Sequence, residues 1–257
     1  MSLCSITIIG SGTCVPSLKR SCCSVLVNIG DEKLLLDCGA GTMRRLLEAG
    51  TEIAEISYML LSHFHPDHSA EVAPFLFSSK YAGKKRRTTP LTIIAGKGFF
   101  QFHQALKGVY GEWIDLAPEL LNVIEMKTES PDSLRFENFT LNTAPVNHQP
   151  ESIAFRIEMP GGYSVVYSGD TSFSESLISL AKGADMLICE AAVPDELKSE
   201  VHLTPSLAGE IATRAQVKKL ILTHFYPECD DVDIAAQCRK TYSGTLVLAE
   251  DLMRMEL

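Results

Sequence analysis

The six residues His63-Phe64-His65-Pro66-Asp67-His68 place three imidazoles and a carboxylate directly after the apolar run Ile56-Ser57-Tyr58-Met59-Leu60-Leu61-Ser62. Neutral imidazole is the commonest nitrogen ligand of divalent zinc, and Asp67 adds a hard oxygen able to hold a second ion beside the first. A polar cluster at the end of a strand-like run is the arrangement of α/β folds, which present catalytic side chains from loops at strand ends. The bland alternative is a histidine-rich surface loop or histidines satisfied in a core. The spacing favours ligands. Of the seven histidines, at 63, 65, 68, 103, 148, 202 and 224, only His103 lacks a chemical setting, lying in the amphipathic helical pattern from Gly98 to Leu106.

With 257 residues the chain is long enough for a substantial core, and one domain spanning 1–257 is expected. No run approaches the roughly 18 apolar residues of a membrane span, and the N-terminus lacks the pattern of a signal peptide, so a cytoplasmic protein is expected. The eight cysteines show no paired CxxC spacing and mostly sit in apolar segments, which predicts reduced, buried thiols. A net charge of -9 disfavours nonspecific adhesion to nucleic acid over most of the surface.

Short β-branched runs alternate with helix-period segments. The first set of predicted strands is Ser5 to Ile9, Ser24 to Ile29, Lys33 to Asp37, Tyr58 to Ser62 and Leu91 to Ala95. The second is Phe139 to Ala144, Ile153 to Glu158, Ser164 to Ser168, Met186 to Glu190, Lys219 to Thr223 and Thr245 to Leu248. Helices are predicted at Thr42 to Ala49, His68 to Lys80, Lys97 to Leu106, Ser174 to Ala181, Ser206 to Arg214 and Val232 to Thr241. Gly30-Asp31 and Gly161-Gly162 read as matching hairpin turns, one in each half. Two β-rich halves with interspersed helices suggest two packed sheets with helices outside, a four-layer α/β sandwich.

Three later segments put a potential ligand just beyond an apolar strand: His148 in Val146-Asn147-His148-Gln149-Pro150, Asp170 in Ser168-Gly169-Asp170-Thr171, and His224 in Leu222-Thr223-His224-Phe225. Each alone reads equally as a turn or a helix cap. Together with the His63 to His68 cluster they read as a metal site. In these features the chain resembles the metallo-β-lactamase superfamily of binuclear hydrolases, a likeness covering nearly its whole length. The resemblance implies an αββα sandwich and two divalent ions, with zinc first and manganese or iron as alternatives. It places His63, His65 and His148 on one ion, Asp67, His68 and His224 on the other, and Asp170 as a bridge. It also implies a shared water that loses its proton near neutral pH and acts as nucleophile.

Within that superfamily the chain is most similar to the ribonuclease Z group of phosphodiesterases, through Gly10-Ser11-Gly12-Thr13, Leu35-Leu36-Asp37-Cys38-Gly39-Ala40-Gly41-Thr42, Ser168-Gly169-Asp170-Thr171, Glu190 and His202. The likeness makes Asp67, Glu190 and His202 the candidate catalytic residues, with the Glu–His pair delivering a proton to the departing oxygen. Asp37 is expected to orient a ligand histidine or satisfy loop amides. Ribonuclease Z proteins usually carry a long arm that grips transfer RNA between the segments matching His148 and Asp170. Here 21 residues separate the two, enough for a hairpin. Ala40 and Leu203-Thr204-Pro205 also depart from the group's usual residues. The expected substrate is therefore a small, cyclic or exposed phosphodiester; nucleic acid stays open, with transfer RNA disfavoured. No membrane partner is expected, and a homodimer is implied by the resemblance alone. The basic cluster Lys84-Lys85-Arg86-Arg87 is either a solvated loop or a phosphate-steering patch. The competing functions are a carboxylic ester, thioester or lactam hydrolase on the same metals, and an iron-dependent oxidoreductase.

Overall fold

Two seven-stranded mixed sheets pack face to face in the computed structural model, which describes residues 4–197 and 199–257. In chain order the elements are β1 (Cys4–Gly10), β2 (Ser24–Ile29), β3 (Glu32–Leu36), α1 (Thr42–Glu48), β4 (Tyr58–Leu61), α2 (Pro66–Ser69), α3 (Val72–Tyr81), β5 (Leu91–Gly96), α4 (Phe99–Tyr110), β6 (Leu121–Met126) and β7 (Asp132–Arg135). Then follow β8 (Thr140–Pro145), β9 (Ile153–Glu158), β10 (Ser164–Tyr167), α5 (Glu175–Leu180), β11 (Met186–Glu190), α6 (Pro205–Ala215), β12 (Lys219–Thr223), α7 (Ile234–Arg239), β13 (Thr245–Leu248) and β14 (Arg254–Glu256). Sheet one has the order β14-β1-β2-β3-β4-β5-β6, and sheet two has the order β13-β12-β11-β10-β9-β8-β7. Both change from antiparallel to parallel pairing midway, at β3 in the first and at β10 in the second. That shared pattern fits the two similar halves expected from the matching hairpins.

The pleat explains how an apolar strand serves two layers. In β3, Leu34 and Leu36 face the second sheet, where they join a cluster with Phe155, Ile157 and Val165. Leu35 points the other way, with Met59 and Leu61 of β4, into a cluster closed by Leu46 of α1, Phe75 and Leu76 of α3 and Phe99 of α4. Sheet two is covered on its outer side by Leu177 of α5, Ala208, Ile211 and Ala212 of α6, and Cys238 of α7. The result is the expected four-layer sandwich.

Three edge strands, β6, β7 and β14, were not predicted. The helix expected from His68 to Lys80 is two pieces, because Glu71 leaves the helical path to bond elsewhere. Its amide donates to the Cys38 carbonyl, and its carboxylate caps α1 by accepting from the amides of Gly41 and Met43. Cys22, Cys23, Cys38, Cys189, Cys229 and Cys238 are buried free thiols, and Cys14 is exposed. Among the described residues no helix is long and apolar enough to cross a membrane.

Candidate metal centre

The strands deliver the predicted ligands to one place. His63 and His65 follow β4, and the single turn of α2 carries Asp67 and His68. Ser69 Oγ fastens that loop by donating to the carbonyls of Phe64 and His65 at 2.9 and 3.0 Å. His148 follows β8, Asp170 follows β10 and His224 follows β12, while Glu190 ends β11. Strands β8 and β10 both run antiparallel to β9, and β10, β11 and β12 are parallel, so all four release their ends on the same side of sheet two. Two glycines let the loops close. A Cβ on Gly39 would lie 1.8 Å from the Asp67 carbonyl oxygen; one on Gly169, at φ +56, would lie 2.5 Å from Ser62 Cβ.

Ligand-type atoms gather in two adjoining groups that share Asp170, namely His63, His65, His148 and Asp170, and Asp67, His68, His224 and Asp170, each set lying within 4.8 Å of one another, and Glu190, His202 and His224 form a third such set. Asp170 Oδ2 is 3.7 Å from His63 Nε2 and 3.8 Å from His148 Nε2. Its Oδ1 is 3.1 Å from His68 Nε2 and 3.2 Å from His224 Nε2. Asp67 Oδ2 lies 3.5 Å from His224 Nε2.

Tautomers follow from the outer partners. His68 Nδ1 donates to the Asp37 carboxylate at 2.7 Å, which leaves Nε2, 3.3 Å from His224 Nε2, to take a proton or a metal ion. His148 Nδ1 donates to the Val201 carbonyl at 3.1 Å, leaving its Nε2 lone pair 3.2 Å from His65 Nδ1. Buried His63 Nε2 and Asp170 Oδ1 have no hydrogen-bond partner among the described residues. Lone pairs and carboxylate oxygens converging without donors are the signature of a cation site, so the residues present fit divalent metal ions.

The electrostatics point the same way. Burial, reinforced by His68, holds the His63 imidazole well below its ordinary pKa, as a neutral donor. Burial opposes ionisation of Asp170, yet His224 and His68 hold it well below the usual carboxylate range. Asp67 behaves likewise: burial opposes, and the bond to His224 with the charge of His68 brings it down to about 2. Burial also opposes charge on His68, but Asp170 and Asp37 raise its pKa well above the ordinary value. The group therefore demands positive charge among its carboxylates.

Asp37, expected to orient a ligand histidine or satisfy loop amides, contacts both kinds of partner. Fully buried at φ 60, it accepts from Ser62 N (2.7 Å), Ser62 Oγ (2.8 Å), His68 Nδ1 (2.7 Å) and Tyr167 OH (2.7 Å). Glu190 and His202 also meet, with His202 Nδ1 3.0 Å from Glu190 Oε1. The Glu190 carboxylate accepts further from the amides of Thr171 (2.6 Å) and Leu203 (3.1 Å). Burial pushes the Glu190 carboxyl up, but three N–H donors on its two oxygens favour the ionised acceptor. Burial opposes charge on His202, and the bond to Glu190 overrides it, raising the imidazole above its ordinary value. The His202 ring lies 5.3 Å from that of His148 and 5.5 Å from that of His224, beside both groups.

Some participants escaped the sequence reading. Ser62 and Tyr167 bond Asp37, the Val201 carbonyl bonds the candidate ligand His148, and Tyr226 lies against His202 and His224. The basic cluster does not act as one patch. Arg87 is 2% exposed, donating to the carbonyls of Ile56 and Ile53 at 2.8 Å each, and Lys85 pairs with Glu52. His103 is buried and stacked on Phe99, a core histidine.

Comparison with known proteins accords with this geometry. The family model described as anti-Pycsar protein Apyc1 matches residues 4–243. A ribonuclease Z of Mycobacterium bovis (strain BCG / Pasteur 1173P2) is 30% identical over 276 residues, covering 98% of this chain and 98% of its own length. Among solved structures, the metallo-beta-lactamase fold protein YhfI from Bacillus subtilis is 25% identical with a TM-score of 0.85, over 100% of both chains. Human tRNase Z, short form, is 24% identical with a TM-score of 0.77, over 98% of each chain. The chain belongs to the anti-Pycsar protein Apyc1 family and, with its ribonuclease Z relatives, is a metal-dependent hydrolase of the metallo-β-lactamase fold.

Proposed function

We propose that this hydrolase is a binuclear phosphodiesterase acting on a small, cyclic or exposed phosphodiester. His63, His65 and His148 hold one ion, Asp67, His68 and His224 the other, and Asp170 is shared. The imidazole-rich donor set favours zinc. Two such cations supply a water acidified to near neutrality and offset the negative charge of a phosphodiester.

The observation that carries the reading is the Glu190–His202 pair beside the two groups. With Nδ1 committed to Glu190 at 3.0 Å, His202 has Nε2 left to hold the proton that a departing alkoxide requires. As the phosphorus–oxygen bond to the leaving group breaks, that proton passes to the oxygen. Glu190, fixed by the Thr171 and Leu203 amides, keeps the ring oriented and balances its charge. An activated leaving group such as nitrophenolate needs no such proton. The segment between His148 and Asp170 forms the β9–β10 hairpin and no arm, which favours a compact substrate over transfer RNA.

The test combines metal analysis of protein purified without added metal, expected to give two ions per chain, with turnover of paired phosphodiester and phosphomonoester substrates. His202→Ala is expected to keep both ions and to lose about 100-fold or more on alkyl phosphodiesters, with a far smaller loss on nitrophenyl diesters. Equal losses on both would remove the proton relay. Faster turnover of a thioester or lactam than of any diester would replace the reading altogether.

A further inference from the structure

Among the described residues, the phenol of Tyr226 is a polar side chain beside the site that the relay and the ligand groups leave without a role. His224 lies in the left-handed region at φ 62, and the chain reverses there as it leaves β12. The reversal buries Phe225, whose ring packs under the Arg20 guanidinium at 4.8 Å, and leaves Tyr226 half-buried next to the histidines. The Tyr226 backbone is held at both ends: its amide donates to the Ala192 carbonyl and its carbonyl accepts from the Cys229 amide, each at 3.0 Å. Its ring stands edge-on to His202, centroids 6.0 Å apart, and 6.3 Å from that of His224.

The hydroxyl meets a soft partner, Cys14 Sγ at 3.6 Å. Sulfur is a weak donor and a weak acceptor, so a charged oxygen brought to this position would displace it readily. A phosphodiester seated between the ligand groups and His202 brings two non-bridging oxygens sharing one negative charge. An O–H held by a pinned backbone on a rigid ring is preorganised to meet one of them.

We propose that the Tyr226 hydroxyl leaves Cys14 and donates a hydrogen bond to a non-bridging oxygen of the bound phosphodiester, making Tyr226 a further catalytic residue of this site. The inference rests on the phosphodiesterase reading above. Tyr226→Phe removes the hydroxyl and keeps the ring. Wild type and variant are compared on an oxygen diester and on the two phosphorothioate diastereomers of the same diester, with metal content measured in parallel. For the oxygen diester and one diastereomer, kcat/KM is expected to fall about 10- to 100-fold in the variant. For the diastereomer whose sulfur occupies the Tyr226 side, it should fall less than about threefold, because sulfur accepts an O–H bond poorly. Unchanged kcat/KM on all three, equal losses on all three, or a lost metal ion would overturn the assignment. Wild-type protein that hydrolyses none of these diesters would overturn the phosphodiesterase reading and this inference with it, whereas an active wild type with an insensitive variant removes the inference alone.

Discussion

Asp37 makes four bonds on two oxygens, and each serves the site: two to Ser62 at the root of the His63 loop, one to His68, and one to Tyr167 three residues before Asp170. Asp37→Asn is a clean probe, because asparagine tolerates the left-handed backbone as aspartate does. Ser62 Oγ, His68 Nδ1 and Tyr167 OH share Oδ2 and Ser62 N takes Oδ1, so the amide turns a donor toward one of these two sets in either orientation and loosens the loop that carries His63 and His68. The expected outcome is about 10- to 100-fold weaker binding of one ion, read by competition with a chelator. Unchanged affinity would reduce Asp37 to a clamp between loops. Its contact with His68 accords with the expectation, drawn from the likeness to ribonuclease Z, that it orients a ligand histidine or satisfies loop amides. Ser62 and Tyr167 were not legible as its partners, since Tyr167 reaches Asp37 from the other sheet, a contact that no local pattern records. The Val201 carbonyl that holds His148 has no side-chain signature at all.

At the level of elements, the strongly apolar strands match their predicted positions, and the missed strands fall where burial is weak. Strands β6, β7 and β14 are sheet edges whose residues are mostly half-buried or exposed, so they lack the continuous buried run that marks β4 or β10. The basic segment after α3 misled for another reason. Four consecutive cations look alike in sequence, yet Arg87 turns inward to donate to the Ile56 carbonyl and to give a second donor to the Ile53 carbonyl, which also accepts from the Ile56 amide. Burial without a carboxylate partner pulls its pKa down to about 10. Arg87→Met is expected to cost about 1–3 kcal/mol by taking the guanidinium donor from the Ile56 carbonyl and weakening the bonding at Ile53, seen as a lower urea midpoint at unchanged slope, with kcat/KM unaltered. A steering role would instead raise KM at low salt. The ten residues of α3 rise about 15 Å away from the His68 turn, beyond a Debye length of roughly 10 Å at 0.1 M salt, so little steering would survive there.

Across the whole molecule the site is a seam. His63, His65, Asp67 and His68 hang from sheet one after β4, whereas His148, Asp170 and His224 hang from sheet two after β8, β10 and β12. Cations held there as proposed would join the two sheets, and the unfolded chain cannot reproduce the arrangement. Binding is therefore linked to stability: ligand at a hundred times its dissociation constant stabilises by about 2.7 kcal/mol for one site. In a chain of this size roughly 1 kcal/mol moves Tm by about 2–4 °C, so stripping one ion should lower Tm by about 5–10 °C and stripping both by more. Calorimetry of metal-loaded and chelator-treated protein measures the difference. Asp170→Asn supplies the control, since Asp170 alone belongs to both groups. In that variant the gap between loaded and stripped protein should shrink toward zero, whereas a variant outside the seam such as Arg87→Met should show a lower Tm with the full gap preserved. A wild-type Tm indifferent to metal would mean that the two groups do not hold ions in the folded state.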